Sequence, residues 1–135
     1  MSHKYLFKSE RLGFRVWTKG DLHEFGELNA DKDVMEHFPR PLTIEETEEF
    51  IDRLIAHYAK HGYQYFATEV LETHELIGFV GLAFQRYKTE FSPATDIGWR
   101  LKKSAWGKGY ATEGAERCLE FAFARFESQE SVFRL

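Results

Sequence analysis

Residues 76–84 read Leu-Ile-Gly-Phe-Val-Gly-Leu-Ala-Phe, a nearly unbroken apolar run. Successive side chains of a strand point to opposite faces. A strand apolar at both odd and even positions therefore has to be covered on both sides, as at the centre of a layered sheet. No stretch of the chain approaches the length of a membrane span. Gly78 and Gly81 within the run leave room for close packing or a bulge.

The flanking sequence supplies the rest of such a sheet. Residues 10–17 read as a strand, imperfectly alternating over Arg11, Leu12, Arg15 and Val16 and bulged at Gly13. Thr18 and Asp21 open a helix through Leu22, Phe25 and Leu28. Asp33 caps a short turn through Val34 and Met35, and Pro39 and Pro41 make a loop. Thr43 and Glu46 have capping-box spacing at the head of a helix whose apolar face is Phe50, Ile51, Leu54, Ile55 and Tyr58, and Gly62 ends it. Residues 64–71 and 94–101 are further strand candidates on either side of the apolar run, with a turn at 72–75 and a loop at 88–93. The spacing of Ala111, Ala115, Cys118, Leu119, Ala122 and Phe126 predicts a helix over 107–126. Residues 131–135 look like the start of one more strand. The order predicts an α+β or mixed α/β sheet, mainly antiparallel, with a parallel crossover across the last helix.

Composition narrows the function classes. The 135 residues suit one domain, and 43% hydrophobic with 16% aromatic residues can fill a core. A formal charge of −4 gives no overall positive field for a nucleic-acid backbone. Cys118 is the one cysteine, so no internal disulfide forms, and its helical neighbours Leu119, Phe121 and Ala122 make it a packing residue. The first residues contain no apolar run long enough for a signal peptide, so a cytoplasmic location without membrane attachment is expected.

The chemistry concentrates in Asp96-Ile97-Gly98-Trp99-Arg100-Leu101-Lys102-Lys103-Ser104-Ala105-Trp106-Gly107-Lys108-Gly109-Tyr110-Ala111-Thr112-Glu113. Here a strand ends, a basic loop follows and a glycine-rich turn opens a helix. Gly107 and Gly109 let the backbone come close to a ligand. The first N–H groups of a helix lack intrahelical acceptors and lie at its positive dipole end, which suits a phosphate. Lys102, Lys103 and Lys108 add positive charge. Two common phosphate motifs do not fit. In a Walker loop Gly-Lys is followed by Ser or Thr, and a dinucleotide fingerprint has a third glycine where Thr112 stands. The bland alternative is a tight strand–helix turn with solvated lysines.

The segment Trp106–Glu113 resembles the acyl-CoA loop of the GCN5-related N-acetyltransferase (GNAT) superfamily, and specifically the branch containing the ribosomal-protein N-terminal acetyltransferases. Asp96-Ile97-Gly98-Trp99, Ser9-Glu10-Arg11-Leu12 and Ile77–Leu82 resemble that branch too, in the same order along nearly the whole chain. The resemblance implies a splayed mixed sheet with helices on both faces and a pantetheine arm paired with Ile97, Trp99 and Leu101. It implies a pyrophosphate on the turn formed by Trp106, Gly107, Lys108, Gly109, Tyr110, Ala111 and Thr112. Trp106 stands where many superfamily members have Gln or Arg, and Gly109 and Ala111 match paired small positions.

The implied reaction moves an acetyl group from acetyl-CoA, a co-substrate, directly to a primary amine in a ternary complex, without a metal. The amine belongs to a protein N-terminus or a small molecule. The attacking amine must be neutral, so a base takes a proton. Asp96, beside the expected thioester, is the candidate base, with a strand-end carboxylate paired to Arg100 as the structural alternative. Glu113 is expected to stabilise the helix dipole. Tyr63, Tyr65 and Phe66 line an acceptor pocket or pack in the core, and Trp17 and Trp99 pack, with Trp99 also a candidate wall of the cofactor groove. His57 and His61 have the i,i+4 spacing of a metal pair but no third ligand, which favours a solvated helix face. Family members continue with a helix and two strands that often supply a general acid, so a single domain over 1–135 ending inside its fifth core strand is expected. An exposed edge there would invite a homodimer. The competing readings are a catalytically inactive CoA-binding or oligomerising module, and an RNA-associated protein using Lys102, Lys103 and Lys108, which the net charge opposes.

Overall fold

A computed structural model describes residues 4–85 and 94–126. Its strands are β1 (Phe7–Lys8), β2 (Leu12–Arg15), β3 (Tyr65–Val70), β4 (Leu76–Gln85) and β5 (Ala94–Leu101). Its helices are α1 (Leu22–Ala30), α2 (Ile44–His61) and α3 (Tyr110–Phe126), with 3-10 turns at Lys19–Asp21 and Lys103–Ala105. The strands form one antiparallel sheet in the order β1-β2-β3-β4-β5. The loop expected at 88–93, the strand expected at 131–135 and the parallel crossover leading to it lie outside the described residues.

The apolar run does sit between two layers. Ile77, Val80 and Leu82 of β4 belong to a cluster with Leu12, Phe14, Phe66 and, from α3, Cys118 and Ala122. Phe79 belongs to a second cluster with Trp17, Phe25, Leu28 and, from α2, Ile51 and Leu54. Helices therefore cover both faces, α3 on one and α1 with α2 on the other. Close approach of α3 is set by Gly114, where a Cβ would stand 3.1 Å from Val80. Among the described residues no helix is long and apolar enough to cross a membrane.

The ends of α2 follow their local signals. Thr43 accepts from the Glu46 backbone at 3.1 Å while Glu46 accepts from the Thr43 backbone at 2.9 Å, and Gly62 closes the helix in the left-handed region at φ 79°. Such a cap contributes about 1 kcal/mol.

Three features differ from expectation. The N-terminal strand is shorter than 10–17, and a second strand, β1, pairs with it. Phe7 holds β1 in place by stacking on Phe14 at 4.7 Å and on Phe121 at 4.1 Å. Gly13 is not bulged; it pairs in register with Lys8 and Glu69, and the Tyr5 ring lies where its Cβ would be, 2.5 Å away. The register shift falls instead between Thr68 and Glu69, opposite Ile77, and Gly78 beside it has φ 139°. Arg15 explains the imperfect alternation of β2. Its buried guanidinium grips both oxygens of Asp21 at 2.9 Å and bonds Glu69 at 2.6 Å. A buried charge survives when paired and hydrogen-bonded in this way.

Candidate active site

The glycine-rich segment forms one wall of a cleft. Gly107 and Gly109 have φ 75° and 81°, so neither continues a helix, and α3 starts at Tyr110 rather than at the expected 107. The first helical bond to this loop is Glu113 N–H to Gly109 O at 3.0 Å. The N–H groups of Tyr110, Ala111 and Thr112 precede it and have no intrahelical acceptor. Trp106 anchors the loop by donating its indole N–H to the Leu101 carbonyl at 2.8 Å.

The cleft holds about 550 Å³ and is lined by Trp99, Leu101, Trp106, Gly107, Gly109, Tyr110, Ala111 and Thr112. Asp33, Val34, Glu36 and His37, from the segment after α1, close its other side. Trp99 is 54% exposed, so it walls the cleft instead of packing inside the protein. Ile97 shares a face with Trp99 and Leu101 by alternation, but it does not reach the cleft. Lys108 is exposed beside the loop and does not line the cleft either.

The charge around this loop is arranged differently from the simple basic patch expected. Lys102 pairs with Glu75, and Lys103 pairs with Asp33 at 2.6 Å. Both charges are therefore largely offset. Lys108 has no carboxylate partner among the described residues. Arg11 also stands beside the loop, which local spacing did not reveal, and its charge is answered by Glu113 at 2.7 Å. Its guanidinium lies over the Tyr110 ring at 4.5 Å, and one of its nitrogens is 3.4 Å from the position of a Cβ on Gly109.

Glu113 is more than a helix-dipole partner. It accepts from Ser9 Oγ at 2.6 Å, the Arg11 backbone at 2.8 Å and the Arg11 side chain at 2.7 Å, clamping the start of β2 to the first turn of α3. Burial alone would raise its pKa, but these donors from Ser9 and Arg11 outweigh it and hold the carboxyl below its ordinary value.

Asp96, on β5, pairs with Ala83 of β4 and, by alternation, faces the α1–α2 side with Gly98 and Arg100. It does not line the cleft. Arg100 does not pair with it. That guanidinium donates to Asn29 Oδ1 at 2.8 Å and lies over the rings of Phe38, Phe79 and Phe50 at 4.7, 5.2 and 5.5 Å. Of the aromatic acceptor candidates, Tyr63 and Phe66 are buried core residues. Tyr65 stacks on Phe79 at 4.7 Å and lies under Gly98, on the face that carries Arg100.

The remaining candidates have structural settings. His57 donates from Nδ1 to the Tyr63 carbonyl at 2.9 Å and packs near His61, with ring centroids 4.5 Å apart. No group of three or more metal-ligating side chains is present among the described residues. The Cys118 thiol contacts the Val80 carbonyl at 3.6 Å in the core, and burial raises its pKa far above the ordinary thiol value. Trp17 packs on Phe25 at 4.4 Å, as expected.

A family model described as an acetyltransferase (GNAT) domain matches residues 11–134. YkkB of Bacillus subtilis is 28% identical over 124 residues, covering 91% of this chain and 71% of that protein. A GNAT-family acetyltransferase from Bacillus anthracis superposes with a TM-score of 0.70 at 27% identity, over 89% of this chain and 67% of that one. Spermidine N-acetyltransferase from Vibrio cholerae, solved with CoA and spermine, gives 0.62 at 25% identity, over 87% of this chain and 66% of that one. RimL, the ribosomal L7/L12 α-N-protein acetyltransferase, gives 0.67 at 18% identity over 97% of this chain and 68% of that one, a likeness of fold.

Proposed function

Because the chain belongs to the GNAT acetyltransferase family, we propose that it moves an acetyl group from acetyl-CoA to a primary amine by direct attack in a ternary complex. The observation that carries this reading is the cleft between Trp99 and Leu101 on β5 and the 106–112 turn. Its chemistry fits the cofactor. Two left-handed glycines, the free N–H groups at the head of α3 and Lys108 suit a pyrophosphate, and no side chain occupies the space beside Gly107. Trp99 and Leu101 offer apolar walls and strand backbone to a pantetheine arm. The spermidine enzyme and RimL, which act on amines by name, support an amine acceptor, either a small molecule or a protein N-terminus.

Bound acetyl-CoA supplies an activated acyl carbon. The protein's own contribution is to hold the two reactants together and to accept a proton from the attacking nitrogen. Asp96 is the base in this reading. Its face of β5 is opposite the cleft, so the acceptor approaches from the α1–α2 side while the acyl donor lies on the α3 side.

Calorimetric titration with acetyl-CoA, with ATP as the control, tests the reading. Saturable acetyl-CoA binding, with ATP much weaker, is expected, and Gly109→Trp should abolish it while the protein still melts cooperatively. Equal binding by the variant would remove the turn from the site. No acetyl-CoA binding and no CoA release with any amine of a broad panel would overturn the reading.

A further inference from the structure

On the α1–α2 side of β5 lies a second pocket of about 370 Å³. Met35, Phe38, Leu42 and Phe50 give it apolar walls, and Arg40, Arg53 and Arg100 project into it. No carboxylate lines it among the described residues. The three cations differ in what already answers them. Arg40 is held by Glu46, with contacts at 2.6 and 2.8 Å. Arg53 is exposed, and among the described residues its guanidinium lies over the Phe50 ring alone, at 5.4 Å. Arg100 is half-buried, and among the described residues its guanidinium's one hydrogen bond is to a neutral amide, that of Asn29.

Arg100 is the unusual member. Desolvation pushes its pKa down, with Tyr65 a smaller opposing influence. Guanidinium nevertheless stays charged in proteins. A protein that removes such a charge from water without a carboxylate partner leaves a strong field in a low-dielectric, apolar site. Three aromatic rings surround the guanidinium, and Asn29 itself donates to Thr47 at 3.3 Å. The fork is thus oriented before any ligand arrives.

We propose that this pocket selects an acceptor amine bearing an anionic group, a carboxylate or phosphate on an apolar frame, which Arg100 and Arg53 receive. The proposal rests on the acetyltransferase reading above. Arg100 lies four residues from Asp96 on the same face of the strand, roughly 13 Å along β5. A polycation would place its charges against the pocket arginines and is disfavoured.

The test uses the full chain and matched ligands: 4-(aminomethyl)benzoate, the corresponding phenylphosphonate, the corresponding benzamide, and spermidine. Affinity is measured directly by NMR titration, and turnover by CoA release. The carboxylate or the phosphonate is expected to bind at least about tenfold tighter than the amide. Arg100→Gln should erase that preference, and Arg53→Gln, a change at an exposed side chain, should reduce it severalfold. If Arg100→Gln fails to fold, Arg53→Gln decides alone. An amide or spermidine that binds wild type as well as the anions do, or an anion preference undiminished in the folded variants, overturns the proposal. Anion preference in binding together with no affinity for acetyl-CoA and no CoA release with any amine upholds the pocket and overturns the acetyltransferase reading instead.

Discussion

A Cβ on Gly78 would stand 2.0 Å from the Arg100 carbonyl oxygen, and the backbone there has φ 139°. Gly78→Ala therefore has to break the β4–β5 ladder or strain it. We expect a loss of about 3 kcal/mol or more, read from the denaturant midpoint. Asp96→Asn should leave acetyl-CoA affinity unchanged while lowering kcat about 100-fold. An unchanged kcat would assign the base elsewhere. At this scale the sequence was informative about residue type more than role. Gly107 and Gly109 were recognisable because they adjoin a helix head. Gly13 was not, because the Tyr5 ring that requires it lies across a hairpin too short to show any period. The neutral neighbourhood of Arg100 was also invisible, since Asn29, Phe38, Phe50 and Phe79 converge on it from four separate segments.

Helix ends were legible because their signals are local. Thr43, Glu46 and Gly62 do what their spacing predicts. Thr43→Ala should cost about 1 kcal/mol in thermal or chemical unfolding, with no change in acetyl-CoA affinity. Strand existence was legible as well, from the apolar run of β4 and its neighbours. The start of α3 was misplaced by three residues because glycine at a helix head reads as permissive, whereas here φ 75° and 81° exclude it from the helix. The Ser9–Arg11–Glu113 clamp joins residues over a hundred positions apart, and no periodicity reports such a contact.

For the whole molecule, the titratable groups predict instability in acid. Hydrogen bonds from Arg40 and Thr43 hold Glu46 at about 2, and Glu69 and Glu113 are also depressed, their donors outweighing burial. A carboxyl with a lowered folded pKa contributes stability that is present above its unfolded value and is lost as pH falls through the folded one. The histidines act earlier. Burial lowers His57 and His61, so their contribution is complete above the unfolded histidine value and starts to fall below about pH 6.5. Melting temperature measured against pH should decline gently from there and more steeply below about pH 4.5, the unfolded glutamate value, where the unfolded chain takes up protons that folded Glu46, Glu69 and Glu113 resist. A flat profile down to pH 3 would contradict this. The layering of helices on both faces was readable from β4, but the division of labour between the faces was not, because it depends on which side chains of β5 each helix layer meets.

That division makes β5 a strand with a parity. Trp99 and Leu101 serve one face and Arg100 the other, in immediate succession. Deleting one residue ahead of Trp99 would invert the assignment, turning the indole toward the arginine pocket and the guanidinium toward the turn of α3. Deleting two would restore it. A frame error of one in this strand thus disturbs the cleft and the arginine pocket at once, and a frame error of two is only a shortened strand.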